Sequence, residues 1–356
     1  MKKKIKVGNL NIGGDAPISI QSMCNTPTCD IKASVEQIRR LEEAGCEIIR
    51  LAVPDRKSAE GFREIKKCAR IPVVADIHFD YRMALAAMDA GADKIRINPG
   101  NIGSEDKIKS VVKKARACGI PIRVGVNSGS LERDILAKYG KVTAEGLAES
   151  ALRNVAVLEK HDFEDIVISL KSSDVQINYD AYKIVNSRSD YPLHIGVTEA
   201  GTLNMGKIKS AAGIGGLLLE GIGNTLRVSL TADPVEEVIF AKSLLAALGI
   251  RRNHIEIVSC PTCGRTEVNL EHIANEVERE AAKLEAGADF AGRGLKIAVM
   301  GCAVNGPGEA KEADIGVACG KGEGLLFAGG KTLRKVKEEE IVSELLKLAG
   351  EYIRER

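Results

Sequence analysis

A chain of 356 residues, 44% hydrophobic and 28% charged, can bury a large core and is too long for one ordinary domain. Lys and Arg total 51 against 49 Asp and Glu, a net charge of +2. With no Trp and 3% aromatic residues, the chain lacks both the basic field and the stacking platforms of a nucleic-acid binder.

The first residues, Met1 to Lys6, carry the charge of a signal-peptide n-region, but Gly8, Asn9, Asn11 and Gly13-Gly14-Asp15 stand where its apolar core would be. No apolar run reaches membrane-spanning length, and nine irregularly spaced cysteines do not form a secreted disulfide framework, so a reducing cytoplasm is expected. Residues 1–250 alternate short β-branched runs with amphipathic stretches, the pattern of parallel βα units. Gly45, Gly91 and Gly119 each stand where a helix ends in a left-handed turn before the next strand. Strands are predicted near 17–22, 47–52, 72–77, 94–98, 121–127, 165–170, 193–198 and 226–230. Eight such units suit an α/β TIM barrel, with a doubly wound open sheet as the rival.

Polar residues recur late in these strands: Arg50, Asp76 with His78, Arg96 with Asn98, Arg123 with Asn127, Lys171, Thr198 with Glu199, and Arg227 with Ser229. A charge inside an apolar strand costs several kcal/mol unless it is paired, so a single one reads as a core ion pair. Repetition over seven strands reads as a site at the C-terminal mouth of a barrel, and the excess of Arg and Lys predicts an anionic, phosphorylated substrate. His194, on the seventh strand, is a further candidate. The turn Glu220-Gly221-Ile222-Gly223-Asn224-Thr225 offers amides to a phosphate, although a Gly-rich segment is more often only a turn. Cys24, Cys29, Cys46, Cys68 and Cys118 lack paired spacing and read as small apolar residues, with Cys24 and Cys29 flanking a mouth loop.

Residues 251–356 read as a separate, smaller α+β domain: a strand at 255–259, a cysteine turn, a helix at 269–286, a strand at 296–300, a second turn, strands at 314–318 and 324–328, and a charged helix at 338–355. Cys260 and Cys263 in Ser259-Cys260-Pro261-Thr262-Cys263-Gly264-Arg265 are answered by Cys302 in Gly301-Cys302-Ala303-Val304-Asn305-Gly306-Pro307-Gly308-Glu309. This reads as a metal site, iron-sulfur or zinc. Its fourth corner is Cys319, a non-cysteine group or an open position. The Asn305 to Gly308 turn is expected to bring Glu309 back toward Cys302, the rival reading of Glu309 being a solvated loop carboxylate.

These segments, with Asp76-Ile77-His78-Phe79, Arg96 to Asn101, Arg123 to Leu131, Val197 to Gly201 and Gly221 to Ser229, resemble the bacterial 4-hydroxy-3-methylbut-2-enyl diphosphate synthases, the IspG or GcpE family, over nearly the whole chain. The resemblance implies a TIM barrel fused to a sulfite-reductase-like domain with one 4Fe-4S cluster per chain, held by Cys260, Cys263, Cys302 and Glu309 rather than Cys319. It implies reductive ring opening and dehydroxylation of 2-C-methyl-D-erythritol 2,4-cyclodiphosphate, with flavodoxin or ferredoxin as electron donor. It also implies a homodimer in which each barrel faces its partner's cluster. Arg50, Arg96, Arg123, Lys171 and Arg227 then clamp the diphosphate, with Asn98, Asn127, Thr198 and Ser229 adding hydrogen bonds. Glu199 protonates the leaving hydroxyl, and Asp76 and His78 orient polar groups nearby. Asn224 stands where the family has Asp. The residues alone also admit a zinc-dependent barrel lyase or hydrolase acting on a phosphorylated substrate, or a non-catalytic iron-sulfur redox carrier, which leaves the Arg-lined mouth unexplained.

Overall fold

The computed structural model describes residues 2–252, 254–285, 294–302 and 312–354. The chain divides into two compact units, Met1–Leu248 and Gly249–Arg356.

The first unit opens with an antiparallel hairpin, β1 (Ile5–Val7) and β2 (Leu10–Ile12), turning through Gly8 at φ +59. Ile5, Val7 and Ile12 pack against Ile48, Val74 and Val167. Those three residues stand at the starts of three later strands, so the hairpin plugs the N-terminal end of the sheet. Eight parallel strands follow: β3 (Ser19–Met23), β4 (Ile48–Ala52), β5 (Val73–Asp76), β6 (Lys94–Ile97), β7 (Ile122–Asn127), β8 (Ile166–Lys171), β9 (His194–Ile195) and β10 (Thr225–Leu226). Their order is β8-β7-β6-β5-β4-β3-β10-β9. A bridge between Ile168 and Leu193, with Ile168 N–H donating to Pro192 O at 2.9 Å, joins the two ends into a TIM barrel.

Two faces alternate along each strand. Ile49 and Leu51, Ile95 and Ile97, Val124, and Ile168 and Leu170 belong to one apolar core with the buried stripes of the surrounding helices, such as Ile38 and Leu41 or Phe62 and Ile65. The alternate residues face the lumen. Six of the helices start at side-chain caps, Asp30, Asp55, Asp80, Thr143, Asp174 and Asp233 each accepting a backbone N–H. Gly45 (φ +100) and Gly119 (φ +64) end two of them in left-handed turns, as the spacing predicts.

All eight predicted strands are present, but the last two contract to two residues each. Past β9 one more ladder bond forms, Arg227 N–H donating to Ile195 O at 3.0 Å, and Gly196 packs so closely that a Cβ there would lie 2.5 Å from Arg227 O and 2.8 Å from Lys171 Nζ. Past β10, Leu230 N–H is taken by the Glu237 carboxylate at 3.0 Å instead of a neighbouring strand.

The second unit is a five-stranded sheet in chain order, β11 (Ile255–Ser259), β12 (Leu295–Met300), β13 (Ile315–Gly320), β14 (Glu323–Ala328) and β15 (Lys331–Lys337). The first three strands are parallel and the last two antiparallel. Helices Leu270–Glu285 and Ile341–Arg354 bury Ile273, Val277, Leu345 and Ala349 against Ile297, Val299, Ile315 and Val317. The sequence reading misses β15 because Val336 is its one buried residue. Its lysines and arginine serve an edge strand, where charge discourages pairing with other chains. The terminal helix begins at Ile341, after a 3-10 turn over Glu338–Glu340. No helix among the described residues is long and apolar enough to cross a membrane.

Candidate active site: a cationic barrel lumen and a cysteine turn

Arg123 on β7 donates from Nη1 to Gln21 Oε1 on β3 at 3.2 Å. The two strands lie four apart in a ring of eight, so this bond spans the lumen. Arg96 on β6 reaches Asp76 Oδ1 on β5 with Nη1 at 3.2 Å and Gly125 O with Nη2 at 3.2 Å. Glycine at 125 makes room for it, since a Cβ there would lie 2.3 Å from Arg96 Nε. Arg50 Nε lies 3.6 Å from Asp76 Oδ2, and its guanidinium also contacts Met23 Sδ. Lys171 Nζ is 3.5 Å from His194 Nε2, whose Nδ1 is 2.8 Å from Thr225 Oγ1. Arg227 Nε is 3.5 Å from Glu237 Oε2.

The charges do not balance. Lys94, Arg96, Arg123 and Lys171 are buried and Arg50 and Arg227 nearly so, while the buried carboxylates among the described residues are Asp76 and Glu237. Burial lowers the Arg50 guanidinium to about 10, with Asp76 opposing and Arg227 and Arg96 reinforcing. Burial, aided by neighbouring cations, likewise pulls Arg123, Lys94 and Lys171 well below their ordinary values. His194 is lowered by burial and then by Arg123 and Lys171. At Asp76 burial pushes the carboxyl up, but Arg50 and Arg96, then His78 and Arg123, outweigh it and hold it below the usual range. Buried cations in excess of their counter-charges are costly, and a polyanion in the lumen relieves that cost.

In the second unit, β11 and β12 are parallel neighbours with Ser259 opposite Val299. The residues that follow, Cys260 and Gly301-Cys302, therefore emerge side by side. Gly301 N–H donates to Cys260 Sγ at 3.2 Å. Thr266 folds the Cys-x-x-Cys turn: its N–H donates to Cys263 O at 3.0 Å and its hydroxyl accepts from Cys263 N–H at 3.2 Å. Hydrogen bonds from the Arg265 backbone and side chain lower the Cys263 thiol below its ordinary value. Cys319, by contrast, is fully buried in β13 among apolar side chains. Among the described residues no three His, Cys, Asp or Glu side chains are gathered to hold a single metal ion. Glu309 and its Asn305 to Gly308 turn lie outside the described residues.

Family comparison resolves what this pairing of units is. Residues 2–242 match the GcpE TIM-barrel domain and residues 256–351 the GcpE protein C-terminal domain. The chain belongs to the GcpE family. It is 57% identical over 355 residues, 100% of this chain and 98% of the relative, to a protein of Caldanaerobacter subterraneus subsp. tengcongensis named 4-hydroxy-3-methylbut-2-en-1-yl diphosphate synthase (flavodoxin). A relative of the same name from Anoxybacillus flavithermus is 56% identical, covering 98% of this chain and 95% of its own. Among solved structures, a truncated 3-deoxy-D-arabino-heptulosonate 7-phosphate synthase from Thermotoga maritima aligns with a TM-score of 0.50 at 16% identity, over 70% of this chain and 94% of its own, a likeness of fold alone.

The remaining expected site residues of this GcpE protein surround the barrel mouth unequally. Asn98 caps the turn Pro99–Ile102, its Oδ1 accepting Gly100 N–H at 3.1 Å. Asn127 ends β7 opposite Lys171. Thr198 and Ser229 are half-buried in the irregular segments after β9 and β10. Asp76 ends β5, so His78 lies past the strand rather than late in it, half-exposed in the following bend with Nε2 3.9 Å from Asp76 Oδ2. Glu199 is exposed at φ +50, a left-handed conformation costing a non-glycine residue roughly 1–2 kcal/mol. The Gly221 to Asn224 turn needs correction as a phosphate loop. It enters β10 from the N-terminal end, whereas the mouth is built from loops that leave the strands. Asn224 is a structural clasp there, its Oδ1 accepting Leu193 N–H at 2.9 Å and its O accepting Ser19 N–H at 3.2 Å. Sequence reasoning passed over Gln21, Lys94 and Glu237. Period-two spacing back from Arg96 finds Lys94; nothing local finds Glu237.

Proposed function

We propose that this GcpE protein binds 2-C-methyl-D-erythritol 2,4-cyclodiphosphate in its barrel and converts it to (E)-4-hydroxy-3-methylbut-2-enyl diphosphate. Two electrons enter, the ring carbon–oxygen bond to phosphate opens, and the hydroxyl leaves as water. The observation that carries this reading is the lumen in which Arg50, Lys94, Arg96, Arg123, Lys171 and Arg227 face two buried carboxylates. A diphosphate supplies the missing negative charge, and guanidinium groups grip it in a fixed orientation. Asn98, Asn127, Thr198 and Ser229 would add hydrogen bonds around the mouth. Glu199, exposed in its strained turn, would hold the proton given to the leaving hydroxyl, with Asp76 fixing Arg50 and Arg96 and His78 beside it.

Cys260, Cys263, Cys302 and Glu309 would hold one 4Fe-4S cluster. The Gly301 amide on Cys260 sulfur and the hydrogen bonds that fold the turn at Cys263 suit thiolates, and the family resemblance favours a cluster over zinc. When bound, the cluster supplies electrons one at a time. The relatives' names support flavodoxin as donor, with ferredoxin the other carrier of this chemistry. The family resemblance supports a homodimer, and the cysteine usage supports a cytoplasmic location.

Protein made and purified without oxygen should be brown, contain about four irons per chain with matching acid-labile sulfide, and reduce the cyclic diphosphate when given reduced flavodoxin. Stoichiometric zinc without sulfide, or a loaded cluster with no turnover of the cyclic diphosphate, would overturn the reading.

A further inference from the structure

Two adjacent acids open the helix Pro234–Ala247, and their surroundings differ. Glu236 pairs with Lys207 at 3.2 Å and is partly exposed, an ordinary surface acid. Glu237 is 4% exposed, its carboxylate turned into the barrel wall. Oε1 accepts Leu230 N–H at 3.0 Å; Oε2 accepts the Ser22 hydroxyl at 3.3 Å and stands 3.5 Å from Arg227 Nε. One side chain therefore ties β3 to the segment running out of β10.

That segment is held at its start by Arg227 N–H on Ile195 O at 3.0 Å and by the buried Val228, and Thr231 N–H beyond it reaches Gly201 O at 3.0 Å. β10 ends at Leu226, and the chain from Arg227 to Leu230 carries two expected substrate contacts, Arg227 and Ser229. Leu230 N–H depends on Glu237 for its acceptor. A long arginine side chain gains specificity only when its planar head is fixed before the ligand arrives. Among the described residues Glu237 is the carboxylate paired with this head, 3.5 Å from an Arg227 Nε that makes no hydrogen bond, and the first turn of a helix favours a negative charge there.

We propose that Glu237 is a positioning residue: it aims Arg227 at the substrate diphosphate and sets the course of the segment that carries Ser229. This rests on the reading of Arg227 as a diphosphate contact. Asp76 fills the matching role for Arg50 and Arg96, while Arg123 is held by Gln21 and Lys171 lies beside His194.

The test is a double-mutant cycle on anaerobic holoprotein, with the affinity of the oxidised protein for the cyclic diphosphate measured by titration calorimetry and kcat at saturating substrate measured alongside. Arg227→Ala should weaken binding at least about tenfold. Glu237→Gln, which keeps an acceptor for Leu230, should weaken it roughly three- to tenfold while kcat stays within about twofold. The double variant should bind no worse than Arg227→Ala alone, because the two residues act through one contact. Losses that multiply in the double variant, or a silent Glu237→Gln beside a damaging Arg227→Ala, would overturn the positioning role and leave the clamp standing. A silent Arg227→Ala would overturn the clamp itself. Should Glu237→Gln melt too low to assay, Arg227→Lys tests the pair from the other side. It keeps the charge but loses the planar head, so it should bind as poorly as Arg227→Ala, and binding like the parent protein would overturn the inference.

Discussion

Asp76→Asn removes the carboxylate that holds two arginines in the lumen, and its cost follows from the geometry. Asp76 is almost fully buried and lies 3.2 Å from Arg96 and 3.6 Å from Arg50. At an effective dielectric of about 20, each such pair is worth roughly 5 kcal/mol. Asparagine keeps an acceptor but no charge, and removing one member of a buried ion pair typically costs about 3–5 kcal/mol, because the remaining charges stay buried without compensation. For a unit of this size that is a fall in the barrel's melting temperature of roughly 6–20 °C, to be followed by calorimetry on the full-length holoprotein. The carboxyl is held below its unfolded value, so its contribution is complete above about pH 4 and is lost as the pH falls through the folded value. At neutral pH the variant thus shows the whole loss. Inorganic diphosphate should raise the melting temperature of Asp76→Asn more than that of the parent protein, since the variant has more uncompensated positive charge to neutralise. A fall below about 3 °C, with equal gains from diphosphate, would mean that Asp76 does not balance these arginines.

His194 should give the protein a second acid-sensitive region. Burial, with Arg123 and Lys171 near it, keeps it neutral in the folded state, while the unfolded chain binds a proton below about pH 6.5, so stability should fall from pH 7 to 5 by up to about 1.4 kcal/mol per unit. His194→Gln should flatten that slope in denaturant titrations at pH 5, 6 and 7, and an unchanged slope would assign it to another group. At the cysteine turn, Cys319→Ser should keep iron and sulfide while losing about 1–3 kcal/mol of stability, because it buries a hydroxyl in an apolar core. Glu309→Ala should keep the fold but lose one iron readily and most turnover; the opposite pattern in iron and sulfide analysis would make Cys319 the fourth ligand.

Much of the barrel was legible because its signals are local. Gly45 and Gly119 punctuate helix ends within a residue or two of the next strand, and β-branched runs mark the strands between them. The candidate site was proposed from the sequence for a different reason: a charge inside an apolar strand is expensive, so Arg50, Arg96, Arg123 and Lys171 stand out against their neighbours before any contact is known. Strand length was less legible. Where β9 and β10 end is set by how the segments after them pack, with Gly196 close against Arg227 and Lys171 and Leu230 N–H taken by Glu237, and no short window of sequence shows that packing. The hairpin of β1 and β2 escaped because three-residue strands carry too few alternations, and β15 because its solvent-facing residues hide the pattern.

Glu237 marks the limit of the approach most sharply. A glutamate in the first turn of a helix is unexceptional by propensity and by dipole, and Glu236 beside it is just that. What sets Glu237 apart is a hydroxyl 215 positions away in sequence and a guanidinium ten positions before it on another element. Cations that bind a ligand can be found from the cost of burying them. The acid proposed to aim Arg227 is cheap in its own segment, and it is recognised only when closure of the barrel brings β3, β10 and the helix Pro234–Ala247 together. Residues that touch an anion are therefore the readable part of such a site, and residues that steer the anion's ligands are the part for which the folded chain is needed.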